Sequence, residues 1–198
     1  PFYVNKKNTA KTRKELGEIG SIILFGFIVF LTILSIWLPL INSLGIISPI
    51  YSESLKIIPI IFISYLFYTW YILIMPSIFL EEKQNWAPLF RGSAAVSNII
   101  LNLILIPKYG ILGAAISTMI SYFVMSSFLF YKNKQWMDIP IKYLNLILFF
   151  ILSYGFVKYS MYNTTNFNIG ITIIYIIISY WAFDSIFFSF KLKKRMFS

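Results

Sequence analysis

The sequence predicts an all-α polytopic membrane protein, a bundle of six transmembrane helices, and three observations carry that prediction. Apolar residues make up 59% of the 198 residues, and the mean hydropathy is +0.77. One soluble core does not absorb that much apolar sequence. Charged residues are only 12% and gather in short clusters between long uncharged runs. Those runs have the length, about 20 residues, that carries a helix across the hydrocarbon core of a bilayer.

The elements follow from this punctuation. Residues 1–18 are polar and basic, with Lys6, Lys7, Lys11, Arg13 and Lys14 against Glu15 and Glu18, and read as a cytoplasmic lead-in. No charge occurs from Ile19 to Ser52; about 19–40 is a span closed by Pro39, and the Gly- and Ser-containing remainder is a return loop. The second span is about 55–80. Pro59 falls in its first turns, where the lost donor costs little, and Pro76 is expected to kink it or end its regular part. A polar link at 81–85 leads to the third span, about 87–106, with Arg91 one turn inside and able to snorkel to the headgroups. The fourth span is about 110–131. A basic link, 132–142, precedes a fifth span at about 141–158, an uncharged loop, a sixth span at about 168–190 and a basic tail. The expected organisation is a lead-in (1–18), four helices of one lobe (19–131) and two trailing helices (132–198).

The segment from Gly92 to Tyr131 is the most informative. Pro107, Lys108, Tyr109 and Gly110 leave no room for a soluble loop between two spans, so an antiparallel hairpin is expected, with Pro107 ending the first helix. Asn98 and Asn102 share a helix face. Gly110, Ala114 and Thr118, and likewise Gly113, Ser117 and Ser121, form small-residue stripes of the kind that let helices approach closely in lipid.

At this point NIILNLILIPKYGILGAAISTMISY resembles the Asn-rich helix, Pro-Lys-Tyr-Gly turn and Gly-Ala-Ala helix of polysaccharide-type flippases. These are the Wzx-like members of the multidrug/oligosaccharidyl-lipid/polysaccharide (MOP) superfamily. The resemblance covers roughly residues 14–136 and is most specific at the turn, with Pro107, Tyr109, Gly110, Gly113 and Ala114 as its structural residues. It implies the second lobe of such a transporter plus two trailing helices. It also implies translocation of a polyprenyl-pyrophosphate-linked oligosaccharide across the cytoplasmic membrane by alternating access, with polysaccharide polymerase machinery as a further partner. The same resemblance, and the opening on Pro1, lead to the expectation that this is a piece of a longer polypeptide. The preceding part is expected to carry about six to eight further spans, and the piece alone to transport nothing.

Chemistry is sparse. There is no cysteine or histidine, so thiol chemistry and His/Cys metal sites are excluded within the chain, and no cofactor or metal is expected. The basic residues flank apolar spans, the pattern of loops facing anionic membrane lipid and not of a nucleic-acid-binding surface. Glu81 and Glu82 read as a solvated link, and Asp184, the one acid inside a span, as an interfacial or bundle-facing structural residue within reach of Lys191. Arg91 and Lys108 are the cations available for a pyrophosphate, and Asn98 and Asn102 the groups available for sugar hydroxyls. For each, snorkelling or helix packing is the competing structural role. The rival functions are a MATE-type drug/cation antiporter and a membrane-embedded polysaccharide polymerase or acyltransferase.

Six spans place alternate links on opposite sides. One side then holds 14 of the 17 basic residues and the other only Lys56, Lys108 and Lys158. By the positive-inside rule both termini are cytoplasmic. Because the chain lacks cysteine, single cysteines report cleanly. An impermeant thiol reagent outside is expected to label positions 52 and 164 but not Asn85 or Asn133, and the reverse pattern would invert the topology.

Overall fold

The computed structural model describes residues 8–45, 54, 57–161 and 165–187. These are helical, without strands, in the order α1 (Ala10–Ser43), α2 (Ile58–Ile74), α3 (Pro76–Leu80), α4 (Ala87–Tyr109), α5 (Ile111–Trp136), α6 (Tyr143–Met161) and α7 (Thr165–Phe187). Among the described residues five stretches are long and apolar enough to cross a membrane: Ala10–Leu38, Ile58–Leu80, Gln84–Tyr109, Ile111–Trp136 and Ile169–Phe187. The remaining helix, α6, is apolar and shorter over Tyr143–Val157. The chain is therefore a helical membrane bundle. Residues 46–53, much of the return loop, and the basic tail with Lys191 lie outside the described residues.

Local chemistry sets the ends. α1 begins nine residues earlier than the expected span because Thr9 caps it: its Oγ1 accepts the Thr12 N–H at 3.1 Å and lies 2.9 Å from the Thr12 hydroxyl. The second span is interrupted where Pro76 has no N–H to offer the carbonyl four residues back. α2 stops at Ile74, α3 restarts at Pro76, and the Ser77 hydroxyl donates to the Ile74 carbonyl at 2.8 Å across the break.

The turn after α4 differs from expectation. Pro107, Lys108 and Tyr109 are still helical, and Gly110 alone makes the reversal. Proline's fixed φ is itself helical, and here it forfeits one bond in the final turns, so it does not stop the helix. Gly110 does, at φ 55° and ψ −132°, a backbone setting that a Cβ disfavours, with its N–H still donating to the Ile106 carbonyl at 2.8 Å.

α5 runs five residues past the expected end, to Trp136. The Asn133 carbonyl then accepts the N–H groups of both Met137 (2.9 Å) and Asp138 (2.8 Å), and Asp138 turns the chain at φ 31°. The link that follows is not all solvated: Met137, Ile139 and Ile141 are buried while Asp138 and Pro140 are exposed. Asn133 is fully buried and so unsuitable as a labelling position; the exposed Gln135 serves in its place.

The chain forms two compact units. The first comprises the chain through Leu24 and residues 51–141; the second comprises 25–50 and 142–198. In the first unit α2 and α5 run side by side in the same direction. Tyr65 and Tyr68 of α2 meet Tyr122 of α5, and Trp70 meets Phe130, so both helices advance together. α4 returns antiparallel to α5, and Tyr71, Ile74, Phe90, Ala115 and Leu129 are buried among them. Two glycines mark close approach. A Cβ on Gly17 would stand 2.5 Å from the Pro140 carbonyl oxygen, and one on Gly113 would stand 2.6 Å from the Leu105 carbonyl carbon.

In the second unit Phe25 stacks on Phe149 at 4.3 Å, and the buried Tyr175 hydroxyl lies 2.9 Å from Ser153 Oγ. At the other end of the α6–α7 pair, Lys142 Nζ donates to the Ile186 carbonyl at 2.6 Å and sits 4.7 Å over the Phe187 ring, satisfying an orphan carbonyl of α7.

Gly113→Leu drives a side chain into the α4 backbone and is expected to cost about 1–3 kcal/mol or prevent folding. Leu112→Ala, at a partly exposed neighbour, is expected to change stability far less. Thermal unfolding in detergent compares them, and equal tolerance would show that this approach is not a packing constraint.

Candidate functional site

Four polar residues of α4 lie along one line. Arg91, Asn98, Asn102 and Tyr109 are separated by seven, four and seven residues, which at about 100° per residue keeps them within about 40° of one another. The line spans about 27 Å at 1.5 Å per residue. It follows the edge between the packed side of α4, with Phe90 and Ala94 buried, and an exposed apolar side with Val96, Ile99 and Leu103.

Within this line Asn102 Nδ2 donates to Asn98 Oδ1 at 2.8 Å, the i,i+4 contact that the spacing predicts. Both asparagines are half-buried, and the Asn102 Oδ1 is buried without a hydrogen-bond partner among the described residues. It is an acceptor available to a hydroxyl or N–H donor. Arg91 is exposed and forms no ion pair among the described residues. Three of the four expected substrate-binding residues thus share the line, with Arg91 about 10 Å along the helix from Asn98. Lys108 is not: it is exposed, about 100° round the helix from Arg91. Tyr109, expected only as part of the turn, joins the line and is 55% exposed.

The small-residue stripes act by shape. Gly113, Ser117 and Ser121 are buried, while Ala114 and Thr118 are half-buried and Gly110 is exposed. Their hydroxyls do not bridge helices. Ser117 donates to the Gly113 carbonyl (2.8 Å), Ser121 to Ser117 (2.7 Å) and Thr118 to Ala114 (3.0 Å), all within α5. Each polar group is satisfied locally, leaving a smooth surface for packing.

The acids are peripheral. Glu81 accepts a hydrogen bond from the Asn8 side chain, Glu82 is exposed at φ 54°, and Asp184 is exposed, which removes the bundle-facing role. On α2 and α5, Tyr65 and Tyr68 are partly exposed and converge on Tyr122, with centroids 6.5 and 5.2 Å apart, forming an aromatic surface.

Two buried groups escaped the sequence reading. Asn133 has neither its Nδ2 nor its Oδ1 paired, and the Tyr71 hydroxyl is likewise buried and unpaired, among the described residues. The signal for Asn133 is present: it continues the 125, 126, 129 spacing of the buried face of α5, hidden within a basic stretch.

These features define a polytopic α-helical membrane protein with a polar line on one spanning helix. Compared with family models, with curated proteins and with solved structures, the chain matches none of them.

An unpaired buried amide carries a desolvation penalty of about 1–3 kcal/mol. Asn133→Leu, similar in volume, is therefore expected to be neutral or to raise stability, while Asn133→Asp lowers it sharply by burying a charge. A marked loss of thermal stability in Asn133→Leu would reveal a partner for that amide.

Proposed function

We propose that this chain is part of a flippase that moves a polyprenyl-pyrophosphate-linked oligosaccharide, a repeat unit of O-antigen, capsule or exopolysaccharide, across the cytoplasmic membrane. The observation that carries the reading is the line of Arg91, Asn98 and Asn102 on α4, with the unpaired Asn102 Oδ1, in the segment that resembles polysaccharide-type flippases.

The assignment of roles follows side-chain chemistry. Arg91, near the start of α4, offers a planar fork of donors to a phosphate at headgroup depth. Asn98 and Asn102 exchange hydrogen bonds with sugar hydroxyls deeper in the span, and the Tyr65–Tyr68–Tyr122 surface offers apolar ring faces with polar tips for pyranose stacking. The polyprenyl tail stays in lipid while the head group follows the polar line during alternating access. With α6 as a sixth crossing, the basic asymmetry puts both termini on the cytoplasmic side. Asp184 is exposed near the end of α7, which gives a proton-coupled antiporter little support.

The test is export in a flippase-null strain complemented with the gene that contains this segment. Asn98→Leu combined with Asn102→Leu is expected to lower export of lipid-linked oligosaccharide at least tenfold, about 1.4 kcal/mol of lost binding, with protein abundance retained. Arg91→Gln is expected to fall further than Arg91→Lys. Full export by the double variant would overturn the reading, and loss of resistance to cationic drugs in its place would favour the antiporter.

A further inference from the structure

An aromatic cluster closes the end of the first unit where α4 begins and α5 ends. The Trp86 ring lies edge-on to Trp136 at 5.6 Å and to Phe128 at 6.5 Å, and the fully buried Phe90 lies 4.9 Å from Phe128. Trp86 is thereby held in one orientation. Over its face sits Lys132, with Nζ 4.5 Å from the ring centroid, 5.8 Å from the Tyr131 centroid and 3.4 Å from Gln135 Oε1.

Lys132 as a residue is half-buried, its contact with Gln135 is exposed, and its ammonium has no ion-pair partner among the described residues. The acids on the flanking links are engaged elsewhere or turned outward: Glu81 pairs with Asn8, and Glu82 and Asp138 are exposed. A cation stacked on an indole still has donors directed away from the ring, open to an anion at the membrane surface. Its position fixes where a counter-charge would come from. Lys132 immediately follows the uncharged stretch 111–131 of α5, which places it at headgroup depth; the exposed Tyr131 ring lies beside it, and the exposed Leu89 follows Trp86 by three residues on α4.

We propose that Trp86, Lys132 and Trp136 form a seat for the phosphodiester of an anionic phospholipid. Lys132 neutralises the phosphate, the indoles sit at the level of the glycerol backbone, and Leu89 and Tyr131 adjoin the acyl chains. A soluble phosphate would make no use of those apolar neighbours, so the lipid is the occupant that fits the whole cluster. Lys134, which is exposed and lies 5.0 Å over the phenyl ring of Phe130, is an internal comparison without an indole beneath the ammonium.

The experiment is native mass spectrometry of the protein released from nanodiscs that contain phosphatidylglycerol and phosphatidylcholine in equal amounts. One phosphatidylglycerol is expected to be retained about fivefold over phosphatidylcholine, as about 1 kcal/mol per lysine at an anionic surface implies. The preference should vanish in Lys132→Gln, persist in Lys132→Arg and Lys134→Gln, and weaken in high salt. Should Lys132→Gln fail to fold, quenching of tryptophan fluorescence by brominated phosphatidylglycerol decides, with the excess over brominated phosphatidylcholine disappearing in Trp86→Phe. An unchanged preference in Lys132→Gln, or equal quenching by the two lipids, would overturn the proposal. So would Lys132-dependent retention of a polyprenyl phosphate without retention of phosphatidylglycerol, which would assign the cluster to the carrier lipid.

Discussion

At Gly113 a main-chain carbonyl of α4 occupies the space that a side chain of α5 would otherwise fill. Much of the first unit depends on that approach. Lipid supplies no hydrophobic drive between helices, so α4 and α5 are held by dispersion contacts, and those decay within a fraction of an ångström. The reversal at Gly110 starts the pair close together, and Ser117 and Ser121 keep it close by returning their hydroxyls to their own helix. With α4 held against α5 in this way, Arg91, Asn98 and Asn102 lie along the edge of the packed face, where the two asparagines pair.

The same economy of polar groups recurs along the chain. Serines at 21, 64, 117, 121, 153 and 179 each donate to the carbonyl four residues back. A spanning helix has no water to satisfy its side chains, so local pairing is the cheapest solution. The departures from it therefore stand out. Asn102 keeps one free acceptor and Asn133 keeps a whole amide unpaired, among the described residues. The first sits on the line proposed to meet a sugar; the second lies under the turn that ends α5.

Pattern reading located the spans and missed their ends, for one physical reason. Hydropathy reports where lipid contacts the chain, whereas helix ends are set by hydrogen bonding. Thr9 starts α1 well before the apolar run because a side-chain cap is worth more there than the cost of helical Lys11 and Lys14. Pro107 carries a breaker's identity but falls where its one lost bond is tolerated, so the break passes to Gly110. By contrast Pro76, four residues before the end of its span, divides α2 from α3 as its chemistry dictates.

The amino-acid sequence by itself determined that the chain is an apolar helical bundle, that α4 and α5 form a hairpin, and that Asn98 and Asn102 share a face. Those properties follow from composition, from periodicity and from the residue types that permit a tight reversal. Only the tertiary structure decided which small residues are buried, that Lys108 leaves the polar line while Tyr109 joins it, and that Lys132 rests on Trp86 within an aromatic frame. These depend on how far each helix is rotated toward its neighbours, and rotation is fixed by contacts between residues far apart in the chain.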